Sequence, residues 1–231
     1  MSAELRPANE VAAAALRAAP GDSAAYLDAR RSLLAEEVEL RRHIERVARM
    51  RRALPLGGEA LGVELRDEDD RRAGLIDLFG PQDTLITYFW MFGPQRKRPC
   101  PMCTAFLGSL DVPALDITQR VALAVLGRSP VSRQLAFARE RGWRNLKFYA
   151  VADDGWARTY GALGPEGEEW PTLDVWVRRD GRVFHFWQSQ MFGTQDPGQD
   201  PRGAPDPTPL WNLLDLTPAG RGSDWYPKLE Y

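Results

Sequence analysis

Thiols, imidazoles and lysines are scarce in this chain. Its 231 residues include two cysteines, Cys100 and Cys103, and two histidines, His43 and His185. Lysine occurs only at Lys97, Lys147 and Lys228, and nearly all basic charge is arginine, which we read as composition rather than function. Two cysteines are too few for the disulfide framework of a small secreted scaffold. A self-contained zinc site needs about four ligands. Here it would have to gather Cys100, Cys103, His43 and His185 from distant parts of the chain, so a structural metal is set aside. No apolar run approaches the roughly 18 residues that would span a bilayer, and mean hydropathy is −0.40. Thirty basic against 32 acidic residues leave a net charge of −2, which gives no electrostatic footprint for nucleic acid. No repeat is visible. Residues Met1 to Pro20 carry Glu4 and Glu10 and lack the basic-then-apolar pattern of a secretory signal. The expectation is a cytoplasmic protein with no nucleic-acid or membrane partner.

What is present is enough chain for one full core with an appendage. The alanine-rich first twenty residues are weakly patterned and are expected to fray. Asp22-Ser23 then offers an N-cap to a long helical stretch ending at Pro55. Leu33, Leu40, Val47 and Leu54 recur every seven residues along it, with Leu34 and Ile44 beside them. The opposite face holds Glu36, Glu37, Arg41, Arg42, Glu45, Arg49 and Arg52. Such a helix either packs on its own domain or also meets a second subunit. Residues 1–55 are therefore expected to form a helical extension, and 56–231 the main domain.

Within the main domain the acidic knot Asp67-Glu68-Asp69-Asp70 reads as a solvated turn. Thr84–Trp90 is β-branched and aromatic throughout, the pattern of a buried strand. A loop over 93–99 leads to Cys100-Pro101-Met102-Cys103 and a helical pattern over 104–110. A strand is expected over 120–126, a helix over 130–141 capped by Ser129, and a short strand near 147–151. Residues 171–177 and 182–187 flank Asp180-Gly181, which predicts a hairpin. Residues 193–209 are rich in proline, glycine and aspartate and read as a long loop. The order βαβαβ and then a hairpin implies an α/β fold with a central mixed sheet flanked by helices.

One constellation demands a chemical explanation. Cysteines three residues apart at a helix start lie within disulfide reach. Unpaired N–H groups and the positive end of the dipole favour a thiolate at the first of them. Arg96, Lys97 and Arg98 stand just upstream and are expected to add to that stabilisation. Cys103, one turn further in, is better placed to attack a mixed disulfide. The roles divide into Cys100 as nucleophile and Cys103 as resolving thiol, with Pro101 and Met102 lining the approach. Two inert structural cysteines are the competing reading, and metal knuckles share the spacing. His43 reads as a helix-surface residue and His185 as a solvent-facing or hydrogen-bonded one.

With these residues in view, the segment from about Gly74 to Gln188 resembles the thioredoxin-like superfamily. Trp170-Pro171-Thr172-Leu173 followed by Asp180-Gly181-Arg182-Val183 is similar to the cis-proline and hairpin that face the cysteines in that fold. Met91-Phe92-Gly93-Pro94, Arg52-Ala53-Leu54-Pro55 and Leu214-Asp215-Leu216-Thr217-Pro218 resemble one bacterial branch recorded as a domain of unknown function. The resemblance implies a thioredoxin-like domain and places Trp170 and Pro171 at the substrate groove. The chain also departs from its relatives. Thioredoxins carry Trp-Cys-Gly-Pro-Cys, where this chain has Pro99 before Cys100 and Pro101-Met102 between the thiols, so no reduction potential carries over. Peroxiredoxins place proline and threonine or serine seven and three residues before their reactive cysteine. Gly93 and Lys97 hold those positions before Cys100, and Arg96 and Cys100 before Cys103. Copper-delivery relatives use the longer Cys-x-x-x-Cys.

The leading expectation is a thiol–disulfide oxidoreductase that needs no metal or organic cofactor. It would act on a protein or small-molecule disulfide and be recharged by a thiol reductant, with a homodimer formed through the first helix. A non-catalytic thioredoxin-fold binding or scaffold protein, and a slow thiol peroxidase, are its competitors.

Overall fold

The computed structural model describes residues 5–191 together with 209, 228 and 229. It divides into two compact units, Met1–Pro55 and Leu56–Tyr231. The expected long loop over 193–209 lies outside the described residues, Pro209 excepted, and so does the Leu214–Pro218 segment.

The first unit is a helical hairpin. α1 (Ala8–Ala15) is a formed helix, not a frayed end, because the small side chain of Ala12 lets it pack closely on its neighbour and become fully buried. α2 (Ala24–Arg52) begins where the sequence says: the Ser23 hydroxyl accepts from the Tyr26 N–H at 3.1 Å, satisfying one of the free donors of the first turn. No residue of α2 is buried, and Leu33, Leu40 and Ile44 are each more than half exposed.

The second unit is built on a seven-stranded mixed sheet. Its strands are β1 (Leu65–Arg66), β2 (Arg72–Ala73), β3 (Thr84–Trp90), β4 (Ala122–Gly127), β5 (Phe148–Val151), β6 (Leu173–Arg179) and β7 (Arg182–Ser189), in the order β2-β1-β5-β4-β3-β6-β7. The helices are α3 (Pro101–Asp111), α4 (Ala114–Ile117), α5 (Val131–Glu140) and α6 (Asp154–Thr159). β3, β4 and β5 run parallel, while β6 and β7 continue the sheet antiparallel beyond β3. This is the thioredoxin-like α/β arrangement, with the hairpin on one side of the cysteine-bearing strand-to-helix unit.

β3 lies inside the sheet between β4 and β6 and is covered on both faces, which is why its sequence does not alternate between apolar and charged residues. Leu85 and Phe89 join Trp156 and Trp176 in one core; Tyr88 and Trp90 join Cys103, Phe106 and Phe137 in the other. The Asp180-Gly181 turn has positive φ at both residues, 52° and 72°, as a tight hairpin of the right twist requires. The acidic knot connects β1 to β2, a short hairpin that the mixed composition of 57–80 conceals. α3 starts at Pro101, three residues earlier than the helical pattern suggests. Ser129 does not cap α5: Pro130 takes the cap position and the Ser129 hydroxyl donates to the Phe92 carbonyl instead. Among the described residues no helix is long and apolar enough to cross a membrane.

Candidate active site

The thiol site is assembled where β3 ends. The Cys100 N–H donates to the Met91 carbonyl at 3.1 Å, so the 93–99 loop leaves β3 and returns beside it. Arg133 on α5 ties that loop down: its guanidinium lies 4.3 Å over the Phe92 ring and donates to the carbonyls of Gly93, Arg96 and Lys97. Cys100 is then the N-cap of α3, with φ −60° and ψ 128°. Pro101 occupies the first helical position, where a missing N–H costs nothing. The Thr104 N–H and hydroxyl both donate to the Cys100 carbonyl, at 3.0 and 2.9 Å, which fixes the first turn.

That turn separates the two thiols. Cys100 is half-buried and Cys103 is 1% exposed; both are free thiols. A hydrogen bond from the Cys103 thiol holds the Cys100 thiol down at about 6, with further help from the backbone N–H groups of Cys103 and Met102 and from the Arg96 charge, against the opposing effect of burial. Burial pushes Cys103 well above the ordinary thiol range, and its role as donor to Cys100 pushes it further. Pro101 and Met102 are half-buried between the two sulfurs.

Sequence reasoning missed two residues here. Tyr88, read as strand core, turns its hydroxyl to the Cys103 thiol as a hydrogen-bond partner, and burial raises its own pKa well above normal. Its ring packs on Phe106 with centroids 4.7 Å apart. The signal was the strand period alone, which puts Tyr88 on the same face as Trp90. Glu169, one of two adjacent acids in a loop, is buried; its Oε2 accepts from Arg96 Nε at 2.9 Å. Arg128 Nη1 stands 3.8 Å from its Oε1 while also forming a bidentate pair with Asp154. A Cβ at Gly93 would overlap the Glu169 carboxylate, so any side chain there forces Glu169 to shift.

The basic run upstream of Cys100 acts differently from its sequence. Arg96 bears on Cys100, but Arg98 is drawn to Glu140 on α5 and lies 4.9 Å over the Phe137 ring, and the Lys97 side chain is exposed. Three consecutive positive charges reduce to one at the thiol, because the loop points them in different directions.

Trp170 and Pro171 lie in the segment that leads into β6. The β3–β6 register pairs Tyr88 with Leu173, and the Phe89 N–H donates to the Thr172 carbonyl at 2.8 Å. Pro171 and Trp170 directly precede that last contact with β3, and β3 itself leads on to Met91, the residue that holds the Cys100 amide. Pro171 is buried and Trp170 half-buried. The Trp170 N–H is not free for an extended ligand: it donates to the Ala162 carbonyl at 3.0 Å.

His185 stands apart from the thiols. His185 packs on the other core, 5.1 Å from the Trp176 ring and 3.6 Å from the buried Asp174 carboxylate; His43 contacts Arg46 on α2. Burial pushes the Asp174 carboxyl up, and Gln188 donates to it at 2.6 Å. Among the described residues no group of three or more His, Cys, Asp or Glu side chains is placed to hold a metal ion.

Fold and site together define a thioredoxin-like α/β protein with a paired-cysteine helix start. The chain belongs to DUF899, a bacterial protein family of unknown function, which matches residues 17–231. No curated protein matches it in sequence. Among solved structures it is similar to BsSco, a member of the Sco family of cytochrome c oxidase assembly proteins, at 17% identity and a TM-score of 0.43, over 70% of this chain and 92% of that one. It is also similar to peroxidoxin BcpB from Mycobacterium tuberculosis, at 20% identity and 0.43, over 56% and 82% of the respective chains. A peroxiredoxin-like protein from Aquifex aeolicus is 14% identical at 0.42, over 58% and 75%.

Proposed function

We propose that the protein is a thiol–disulfide oxidoreductase working through Cys100 and Cys103. The observation that carries this reading is the division of the two thiols by the first turn of α3. The half-exposed Cys100 is held acidic at about 6 and the buried Cys103 donates to it. Near neutral pH most of Cys100 is thiolate, the attacking form.

The Cys100 sulfur attacks one sulfur of a substrate disulfide, forming a mixed disulfide and expelling the other sulfur as thiolate. That step consumes the charge that Cys103 had been bonded to. The Cys103 proton passes to that expelled thiolate, and the Cys103 sulfur attacks Cys100, releasing the second substrate sulfur as thiolate. Substrate gains two electrons and the Cys100–Cys103 pair loses two as it closes its own disulfide. An external thiol reductant reopens it. The cytoplasm, rich in such thiols, suits the cycle. Trp170 and Pro171, together with Pro101 and Met102, offer the surface against which a disulfide-bearing protein or small molecule would lie.

The test is to trap the intermediate. Cys103→Ser should accumulate a mixed disulfide at residue 100 when mixed with a disulfide substrate, and Cys100→Ser should accumulate none. Trapping by neither variant would reduce the pair to inert structural thiols on a binding scaffold.

A further inference from the structure

The helical hairpin of the first unit leaves an apolar stripe without a partner inside that unit. α1 lies along one flank of α2, where Leu27, Leu34 and Val38 are half-buried and Arg42 donates to the Arg6 carbonyl just before α1. A neighbouring stripe of α2 carries Tyr26, Leu33, Leu40 and Ile44, between 53% and 61% exposed. Exposed leucines scattered singly need no explanation; a row on one helix face does.

We propose that this stripe is the seam of a homodimer in which α2 pairs antiparallel with its own copy about a two-fold axis at Leu40. The seam is self-complementary. Tyr26, Leu33, Leu40, Val47 and Leu54 are spaced by sevens symmetrically around Leu40. Antiparallel pairing about that point sets Tyr26 against Leu54 of the copy, Leu33 against Val47, and Leu40 against itself.

Charge selects the same arrangement. Glu36, Glu37 and Glu39 lie just before Leu40, and Arg41 and Arg46 just after it, while Arg42 is turned to the α1 flank. Antiparallel helices bring each acidic block to the level of the other's basic block, and Asp28 to the level of Arg52. A parallel pair would stack arginine on arginine. The present partners of these groups are exposed pairs within α2, such as Arg41 with Glu45 and Arg30 with Glu37, which are worth little and exchange readily. The helix is about 43 Å long and carries the seam from Tyr26 to Val47, with Leu54 just past its C-cap. A basic amphipathic helix on an anionic membrane is the other occupant such a stripe brings to mind. The acids Glu36 and Glu37 bordering the stripe speak against it.

Sedimentation velocity on the full-length protein should show a dimer. Leu40→Asp places a carboxylate against its own copy at the axis and should raise the dissociation constant by ~100-fold or more. Because Leu40 is exposed in the single chain, that variant keeps its fold, which circular dichroism checks. Register is read in a Cys100→Ser/Cys103→Ser background. Mild oxidation of mixed Leu33→Cys and Val47→Cys proteins should give crosslinks only between the two variants. A native protein that stays monomeric at high micromolar concentration, crosslinking of Leu33→Cys with itself, or a monomer that binds phosphatidylglycerol vesicles through this stripe would each overturn the proposal.

Discussion

Arg96 ties the loop before Cys100 to the segment before β6, its Nε donating to Glu169 Oε2 at 2.9 Å. Glu169 directly precedes Trp170-Pro171, and Arg96 sits in the loop that ends at Cys100, where its charge favours the thiolate. The two residues should therefore move the Cys100 titration in opposite directions. Arg96→Leu removes a favourable cation and should raise the Cys100 pKa. Glu169→Gln keeps an acceptor for Arg96 but removes an anion, and should lower it. Each shift should be under about one unit, measured from the pH dependence of alkylation. Shifts of the same sign would mean that Glu169 acts through packing alone.

Alkylation should also separate the thiols. Iodoacetamide modification of Cys100 should rise with pH around a midpoint near 6 and level off above it, because the thiolate is the reacting species. Cys103 should remain unmodified there, being buried and held protonated. Peptide mapping by mass spectrometry reads both at once; equal labelling of the two sulfurs would remove the basis for their separate roles.

Tyr88→Phe deletes the hydroxyl that faces Cys103 and leaves the ring packed on Phe106. The thiolate that forms on Cys103 during resolution loses a donor. Mixed-disulfide decay should slow by roughly tenfold, the value of one hydrogen bond to a charged group, while Cys100 alkylation changes little. An unchanged decay rate would make Tyr88 a packing residue only.

Gly93→Ala would set a methyl group into the Glu169 carboxylate. Destabilisation of about 1–3 kcal/mol is expected from such overpacking, read by denaturant unfolding, with Cys100 reactivity disturbed through Arg96. Tolerance of the alanine would show that Glu169 has room to withdraw.

The strength of the local signals explains what could be read from sequence. β3 was legible to the residue because a strand buried on both faces is β-branched and aromatic with no charged position, and the hairpin was legible because Asp-Gly has few other uses. The thiol pair declares itself through spacing. Tyr88 and Glu169 do not, since their partners are 15 and 73 residues away, Cys103 and Arg96 respectively. Asp111 is a similar case: its buried carboxylate accepts from the N–H groups of Arg144, Asn145 and Leu146 and pins the end of α3 to the entry of β5, a contact no local pattern announces. The basic run misled for the same reason, because the direction of each side chain is set by Glu169 and Glu140 from elsewhere in the fold.

In the proposed cycle Cys100 and Cys103 form one two-electron couple. Equilibrating the full-length protein across glutathione redox buffers, then acid-quenching and weighing it, tests this most directly. A single transition between the dithiol and a Cys100–Cys103 disulfide is expected, with midpoint following the ratio of squared reduced to oxidised glutathione. Thiols that stay reduced across the whole range, or that only accumulate separate glutathione adducts without closing a disulfide, would contradict it.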